Sequence, residues 1–366
     1  MVGIIAVAVV GSFLLSLACT AAIRSFAGRI GFVDRPGGHK QHAAAVPLGG
    51  GTAMLIAIFL PVLLGVLAAR WLNAGEVSNS LPPVIRLHQS GIASKLSTVL
   101  MVLAGAVVLH VVGLIDDRRP LGALPKFVAQ CLVAGWIAIP GGIRVVEALP
   151  APASIALTML WIVLVSNAFN FLDNVDGLCA GVAAIAASIF AVASLGAGQL
   201  FVPVFACVMV GGLLGFLVFN FAPASIFMGD AGSLVVGYLL AVVTILVTFY
   251  DPAENLRPLG VVVPLVVLAV PLYDVVSVVV HRVRAGQSPF RGDWRHFSHR
   301  LIRRGMSPRK AVLTIYLATA ATGLPAIVLP RVDWPLAVLL LVQCVCVVVM
   351  IAILEHSGGS PAGKPS

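Results

Sequence analysis

The stretch LFVPVFACVMVGGLLGFLVF at residues 200–219 contains no charged side chain. A helix of about 20 apolar residues is long enough to cross the hydrocarbon core of a bilayer, which is roughly 30 Å thick. The apolar residues are continuous and do not alternate with polar ones, as they would in a strand of a membrane β-barrel. This stretch therefore predicts a transmembrane α-helix.

Similar stretches recur along almost the whole chain. We predict about eleven spans, or ten if the short fourth one is not a span. They lie near residues 3–23, 48–69, 97–115, 126–139, 154–171, 178–197, 200–219, 233–249, 260–281, 311–329 and 334–354. The sequence thus predicts an all-α, polytopic integral membrane protein with a single transmembrane domain over residues 1–356. The Gly-, Pro- and Ser-rich residues 357–366 are expected to form a disordered tail.

The composition agrees with this class. Of the 366 residues, 60% are hydrophobic and 10% are charged, whereas a soluble domain carries about 25% charged residues. The chain therefore lacks the polar side chains that a water-facing surface needs. The net charge of +9 is typical of basic loops beside a membrane, and we expect no nucleic-acid partner.

The basic residues collect on one side of the predicted spans. Most of the 23 Lys and Arg residues fall in the loops that follow spans 1, 3 and 9. Since basic loops face the cytoplasm, we predict that these loops and the C-terminus are cytoplasmic and that the N-terminus is outside. The predicted location is the plasma (inner) membrane.

Polar residues at the ends of the apolar runs also collect on this predicted cytoplasmic side. Ionisable groups at the ends of apolar helices are costly and are functional candidates by default. Those on the predicted cytoplasmic side are Asp34, His39, His42, Asp116, Asp117, Asn167, Asn170, Asp173, Asp176, Asn220, Asp230, Asp293, His296 and His299. They predict a polar site that opens to the cytoplasm.

The segment GLIDDRRPLGALPKFVAQ at residues 113–130 places two adjacent carboxylates, Asp116 and Asp117, at the end of span 3. Adjacent carboxylates repel each other, so a cation is the natural compensation, and Mg²⁺ prefers hard oxygen ligands of this kind. The alternative is a helix end whose charges face water. Lys126 is suited to anchor a phosphate, or to extend its ammonium group to the membrane interface.

The segment SNAFNFLDNVDGLCAG at residues 166–181 contains no Lys or Arg. Asn167, Asn170, Asp173 and Asp176 recur every three residues, so several share one face if the stretch is helical. Amide and carboxylate oxygens on one face suit a metal or a polar nucleotide. The alternative is a capped turn, where Asp and Asn are common.

The string GDAGS places Asp230 at the start of a span, with Ser233 as the expected N-cap. Helix N-termini with nearby glycines bind anions well, and an Asp at such a place caps the helix or holds a cation. Both roles are compatible with a metal–diphosphate site.

The basic loop at residues 281–310 contains His296 and His299. Arg side chains pair with phosphate oxygens, so this loop fits an anionic substrate, although orientation in the membrane alone also predicts a basic loop. Asp274 lies inside span 9, where a carboxylate needs a partner that the sequence does not identify.

Taken in order, these motifs resemble those of a known family. The blocks are DRPGGHKQH, DDRRPLGALPKFVAQ, NAFNFLDNVDGL, FMGDAGS, PLYD and D-x₂-H-x₂-HRL. They resemble the polyprenyl-phosphate N-acetylhexosamine-1-phosphate transferases of glycosyltransferase family 4, over about residues 30 to 310. The resemblance implies ten or eleven helical spans around a cytoplasm-facing active-site cleft.

The resemblance also implies a reaction. Such an enzyme requires Mg²⁺, with Mn²⁺ as a substitute, and transfers a sugar 1-phosphate from a UDP-N-acetylhexosamine to undecaprenyl or another polyprenyl phosphate, releasing UMP. This step starts the synthesis of a cell-envelope glycan. The acceptor comes from the membrane lipid, and a homodimer is compatible with the pattern.

Each motif position then carries an implied role. Asp230 and Asn170 correspond to Mg²⁺ ligands. Four carboxylates would serve catalysis, the first two as an essential acidic pair and the others near the nucleotide: Asp116, Asp117, Asp173 and Asp176. Substrate contacts are implied for Lys126 at a phosphate, Asn220 beside the uridine, the donor-recognising His296, His299 and Arg300, and His39 and Lys40 in the first block.

The chain departs from the family pattern at two positions. Asn174 stands where the motif D-G-x-D-G usually has its first glycine, and Ser298 stands where the first of two adjacent histidines is usual. The spacing to His299 is kept. The departures bear on the fine geometry of donor binding.

Two other functions deserve comparison. A phospho-MurNAc-pentapeptide transferase, which makes lipid I, carries a tighter three-histidine motif in the last loop, so the pattern His296-x-x-His299 favours UDP-N-acetylglucosamine as donor. A secondary transporter also has intramembrane acids and broken helices. Transporter sites, however, lie near the membrane midplane, whereas these residues collect at one membrane face.

Overall fold

A computed structural model describes residues 2–34, 45–73, 90–195, 200–247, 249, 256–288 and 296–356 of the protein. The principal helices are α1 (Val2–Arg29), α2 (Gly50–Asn73), α3 (Leu96–Arg118), α4 (Ala123–Ala138), α5 (Ala151–Leu172), α6 (Leu178–Leu195), α7 (Phe201–Asn220), α8 (Asp230–Leu246), α9 (Val263–Val267), α10 (Ala269–Arg284), α11 (Phe297–Arg303), α12 (Pro308–Gly323) and α13 (Trp334–His356). Strands β1 (Val33–Asp34) and β2 (Val46–Pro47) form a short antiparallel pair. The tail predicted at residues 357–366 lies outside the described residues.

The polytopic, helical character of the chain is confirmed. Within the described ranges, eight helices are long and apolar enough to cross a membrane, and two shorter apolar helices, α4 and α8, accompany them. A further pair, Pro258–Val267 and Ala269–Arg284, passes the same criteria together but is bent by 64°. The count of ten or eleven spans therefore stays a prediction, as does the cytoplasm-facing cleft.

The bend divides the predicted span at residues 260–281. Leu268 lies at the junction of α9 and α10, with Pro264 and Pro271 on either side. A proline has no N–H and its ring clashes with the carbonyl four residues earlier, so an apolar run with two prolines bends instead of continuing straight. The break leaves α10 as a separate helix that carries Asp274.

Helix α8 lies at the centre of the bundle. All of its residues from Ala231 to Thr244 are buried, and it packs against α2, α3, α5 and α6. A helix that is apolar on every side is expected in such a position. Its first residue, Asp230, is therefore surrounded by the ends of neighbouring helices.

Small residues allow this close packing at the start of α8. A Cβ atom added to Gly51 of α2 would lie 2.4 Å from the backbone nitrogen of Gly232. A Cβ atom added to Gly113 of α3 would lie 2.3 Å from the backbone nitrogen of Ala231. Three helix backbones consequently meet beside Asp230, as small residues permit in membrane proteins.

Candidate functional site

The ends of α3, α4 and α8 bring three charged side chains together. Lys126 of α4 places its Nζ 2.7 Å from Oδ2 of Asp230 and 3.2 Å from Oδ2 of Asp116. These three side chains are partly exposed, so a ligand can reach the cluster. A single ammonium group thus links the end of α3 to the start of α8.

The adjacent carboxylates Asp116 and Asp117 face different partners. Oδ1 of Asp117 accepts a hydrogen bond from the backbone nitrogen of Asp230 at 2.8 Å, and its Oδ2 accepts one from that of Ala231 at 3.3 Å. Asp116 instead accepts from the backbone nitrogen of Leu121 at 2.8 Å and from Lys126. Asp117 therefore caps the N-terminus of α8, where a carboxylate also interacts favourably with the helix dipole.

The cap of α8 differs from the sequence prediction. Gly229 is the N-cap residue, with φ of 70°, and Ser233 lies in the first turn, where its hydroxyl donates to the Gly229 carbonyl. Serine was the wrong choice because the carboxylate of Asp117, 113 residues away from Asp230, supplies the cap. Only a residue without a Cβ atom fits at position 229, since such an atom would lie 2.3 Å from Oδ2 of Asp117.

Asn170 joins the cluster from the last turn of α5. Its Nδ2 donates to Oγ of Ser233 at 3.0 Å, and its side chain also contacts the Asp230 carboxylate. Asp230 and Asn170, the two predicted metal ligands, are therefore neighbours. They offer only oxygen donors, which is the ligand type that Mg²⁺ prefers.

The oxygen ligands of Asp230 and Asn170 suit a metal ion that the substrate also binds, rather than one enclosed by protein ligands alone. Among the described residues, no group of three or more His, Cys, Asp or Glu side chains is arranged to hold a metal ion. Mg²⁺ commonly binds one or two carboxylates and completes its shell with water and substrate phosphates. Asp230 and Asn170 would hold it in that manner.

The i, i+3 repeat is only partly helical. Helix α5 ends at Leu172, so Asp173 and Asp176 lie in the turn that follows. Asn167 pairs with Gln130 of α4, with its Nδ2 2.6 Å from Oε1 of Gln130. The helical condition therefore holds for Asn167 and Asn170 and fails for Asp173 and Asp176, because the helix stops before the repeat is complete.

Asp173 faces the acidic cluster, whereas Asp176 faces the next loop. Burial raises the pKa of the Asp173 carboxyl well above its ordinary value, and the nearby charges of Asp230, Asp117 and Asp176 raise it further. Asp176 accepts a hydrogen bond through Oδ2 from the backbone nitrogen of Ala224 at 2.8 Å. Asp173 thus retains a proton at higher pH than a free carboxyl does.

Asn220 connects two loops. It is 3% exposed; its Oδ1 accepts from the backbone nitrogen of Gly177, and its Nδ2 donates to the carbonyl of Ile226, both at 3.0 Å. These contacts fasten the turn after α5 to the loop before α8. Its predicted contact with uridine stays a prediction.

The structure supplies the missing partner of Asp274. Its Oδ2 lies 2.9 Å from Nδ1 of His296, and its Oδ1 accepts a hydrogen bond from the backbone nitrogen of Phe297 at 2.6 Å. Asp274 is 1% exposed. A buried carboxylate with two such partners orients the imidazole and caps the first turn of α11.

His299 lies one turn along α11 from His296 and is 7% exposed. Burial, together with the nearby charges of His296 and Arg303, lowers the pKa of His299 to about 4, although Asp274 acts in the opposite direction. The His299 imidazole is therefore neutral at pH 7. In that form it offers a hydrogen bond to a ligand without a positive charge.

Arg300 binds side chains of α10 and α13. Its Nη2 donates to Oγ of Ser277 at 2.7 Å and to Oε1 of Glu355 at 2.9 Å. Glu355 also accepts from the Tyr273 hydroxyl, and Arg304 donates to the carbonyls of Leu354 and Glu355. These contacts attach α11 to the last turn of α13, and the predicted role of Arg300 in donor binding stays a prediction.

Sequence reasoning missed Glu355. It is the only Asp or Glu in α13, a helix whose other residues are apolar except for Gln343 and His356, and such a residue signals a buried partner. The signal was therefore present in the sequence. His39 and Lys40, the remaining predicted substrate contacts, lie outside the described residues.

The aromatic side chain of Phe171 brings the histidines against α5. Its ring meets the edge of the His296 ring at 5.3 Å between centroids, and the guanidinium of Arg282 lies 5.2 Å from its centroid. Phe171 directly follows Asn170 on α5. The metal-ligand candidates and the histidine pair thus approach the same helix end.

Comparison with known proteins identifies the family of this chain. The model of glycosyl transferase family 4 matches residues 99–248. The probable undecaprenyl-phosphate N-acetylglucosaminyl 1-phosphate transferase of Bacillus subtilis is 33% identical over 333 residues, which cover 89% of this chain and 85% of that protein.

Two further relatives have similar names. The decaprenyl-phosphate N-acetylglucosaminephosphotransferase of Mycobacterium tuberculosis is 36% identical over 330 residues, covering 81% of this chain and 76% of that protein. The undecaprenyl-phosphate alpha-N-acetylglucosaminyl 1-phosphate transferase of Yersinia pestis is 27% identical over 335 residues, covering 88% and 83%. This chain therefore belongs to glycosyl transferase family 4 and is a membrane enzyme of the glycosyl-1-phosphate transferase type.

Proposed function

We propose that this enzyme transfers N-acetylglucosamine 1-phosphate from UDP-N-acetylglucosamine to a polyprenyl phosphate and releases UMP. The observation that carries the proposal is the meeting of Asp230, Asn170 and Lys126 at the start of the central helix α8. This group combines oxygen ligands for Mg²⁺ with a cation for phosphate. The names of the relatives supply the sugar and the lipid.

The reaction exchanges one phosphoanhydride for another. An oxygen of the lipid phosphate attacks the β-phosphorus of the UDP-sugar, and the bond from that phosphorus to the bridging oxygen breaks, so that UMP leaves. A phosphomonoester has a second pKa of about 6 and is largely ionised at neutral pH. A general base is therefore optional.

The main task of the site is to reduce repulsion between two anions. Mg²⁺, when bound at Asp230 and Asn170, supplies charge neutralisation at the diphosphate. Lys126 is the cation beside Asp230, and we assign it to the phosphate oxygens of the substrates. Asp116 and Asp117 position that lysine and the start of α8, respectively.

The remaining polar groups suit the sugar nucleotide. Asp173 lies in the turn after α5 beside the acidic cluster, and the neutral His299 lies on α11 near the same helix end. We assign the Asp173–Asp176 turn to the nucleotide side and the histidine pair to the sugar side. The lipid acceptor enters from the bilayer, with the site at the cytoplasmic face of the plasma membrane and the N-terminus outside.

The test is to identify the lipid product. Membranes that contain the enzyme would receive undecaprenyl phosphate and Mg²⁺ with UDP-N-acetylglucosamine, UDP-N-acetylgalactosamine or UDP-MurNAc-pentapeptide, followed by mass spectrometry of the lipid and measurement of UMP. We expect the N-acetylglucosaminyl diphospholipid and no product after addition of a chelator. A MurNAc-pentapeptide product, or counterflow of labelled UDP-sugar without a covalent product, would refute the proposal.

Two variants test the metal assignment in the same assay. Asp230→Asn removes the carboxylate at the start of α8 and is expected to abolish Mg²⁺-dependent UMP release. Asp333→Asn makes the same chemical change in an exposed ion pair with Arg257 and should leave the rate unchanged. Retained activity in Asp230→Asn would show that the metal lies elsewhere.

A further inference from the structure

A hydrogen bond joins the turn after α5 to the helix that carries the histidines. Oγ of Ser298 donates to Oδ1 of Asn174 at 2.5 Å, across 124 positions of sequence. Ser298 is 2% exposed. A buried hydroxyl with a side-chain acceptor is a specific contact, since either group would lose its partner if the other moved.

The orientation of Asn174 is set by a second contact. Its Nδ2 donates to the backbone carbonyl of Phe171 in the last turn of α5. With the amide nitrogen bonded there, the amide oxygen is directed to Ser298. The link therefore runs from the backbone of α5, through Asn174, to α11.

This link lies between the functional candidates on both sides. Asn174 directly follows Asp173, and Ser298 lies between His296 and His299. Asp274 holds the start of α11 through His296 and Phe297. Asp274 attaches α11 to α10, and the Asn174–Ser298 contact attaches α11 to the acidic turn.

Both partners occupy positions where this chain departs from the motif pattern noted above. A glycine at 174 would have no side-chain acceptor, and a histidine at 298 would need more space than the buried serine occupies. The two departures thus meet in one hydrogen bond. The side chain at each of these positions accounts for the departure from the motif pattern at the other.

We propose that Asn174 and Ser298 are positioning residues that fix the histidine pair against the acidic turn and thereby set the fit of the donor sugar. This inference rests on the proposed function and deepens it, because it concerns only the donor. The pair acts through His296 and His299 and touches no substrate itself. Its effect should therefore appear in donor binding.

A double-mutant cycle tests the pair. Asn174→Ala and Ser298→Ala are each expected to raise the KM for UDP-N-acetylglucosamine about 2- to 10-fold, the equilibrium effect of one net hydrogen bond. The kcat and the KM for polyprenyl phosphate should change by less than about 2-fold. The double variant should be no worse than the single ones, because both remove the same contact. Ser298→Cys, a weaker donor of similar size, should give an intermediate KM.

Controls separate this inference from the proposed function. Ser188→Ala removes the hydroxyl of an exposed residue that donates within α6 and should leave every constant unchanged. Additive effects in the cycle, or unchanged donor KM in both single variants, would overturn the inference while the proposed function stands. Absence of product from every donor with the unaltered enzyme would overturn the proposed function instead.

A second measurement does not depend on turnover. Hydrogen–deuterium exchange of the purified full-length protein reports the amides of residues 297–303. Asn174→Ala should speed their exchange relative to the unaltered protein and to Ser188→Ala. Unchanged exchange would show that Asn174 does not hold α11, and the inference would fail.

Discussion

Replacing Gly229 with alanine should disturb the start of α8 through one defined contact. A Cβ atom at this position would lie 2.3 Å from Oδ2 of Asp117, whereas an ordinary contact begins near 3.4 Å. The carboxylate must therefore retreat by about 1 Å. Its bonds to the backbone nitrogens of Asp230 and Ala231, at 2.8 and 3.3 Å, are then lost or weakened.

The magnitude follows from two contributions. Gly229 has φ of 70° and ψ of 173°, a region that is costly for other residues by about 1–3 kcal/mol. Hydrogen bonds to a charged group contribute about 1.5–3 kcal/mol each, so the loss of two would add about 3–6 kcal/mol. A displacement of about 1 Å at a catalytic group can reduce the rate by about 10²-fold.

Gly122 provides a matched control. It is also an N-cap glycine, at the start of α4, with φ of 78° and ψ of 179°, but a Cβ atom there would meet no atom within 4 Å. Gly122→Ala therefore introduces the same backbone strain but no close contact between the new Cβ atom and a neighbouring side chain. Thermal unfolding in one detergent and UMP release would be measured for both variants. Equal losses in the two would refute the role assigned to Asp117.

Three further outcomes are expected. Asp274→Asn leaves one of two buried donors unsatisfied and should cost about 1–3 kcal/mol, measured as a lower Tm, whereas Asp333→Asn should change the Tm little because exposed ion pairs contribute less than about 1 kcal/mol. Lys126→Met should lower UMP release by about 10²-fold or more at saturating substrates, with partial recovery in Lys126→Arg; full activity in the methionine variant would exclude the phosphate role. Because the folded protein lowers the pKa of His299 to about 4, the unfolded chain takes up this proton first, so stability should fall as pH drops from about 6.5 towards 4. His299→Gln should remove that part of the pH dependence of the Tm, and an identical pH profile would contradict the assignment.

The membrane-helix pattern and the convergence of polar ends were predictable from sequence. Runs of apolar residues mark the spans, and the acidic, amide and basic residues stand at their ends. Asp230, Asn170 and Lys126, separated by up to 104 positions, do meet. The type of each residue and its place at the end of an apolar run were sufficient to predict this meeting, because the ends of antiparallel helices lie at the same face of the bundle.

The connections around the histidines were not predictable. Asp274 and His296 are 22 positions apart, Arg300 and Glu355 are 55 apart, and Asn174 and Ser298 are 124 apart. Each depends on how short helices pack after the bend at Leu268. Periodicity describes one element at a time, so it does not show which of two buried polar side chains will meet.

The attachment of α11 to the last turn of α13 bears on how the molecule is assembled. During synthesis, the segment with His296 and His299 leaves the ribosome well before Glu355 does. Until α13 has entered the bilayer and delivered its carboxylate, Arg300 has no counter-ion at that position. The Arg300–Glu355 ion pair therefore forms late in membrane insertion, and a chain halted before its final helix would hold α11 only through its contacts with Asp274 and Asn174.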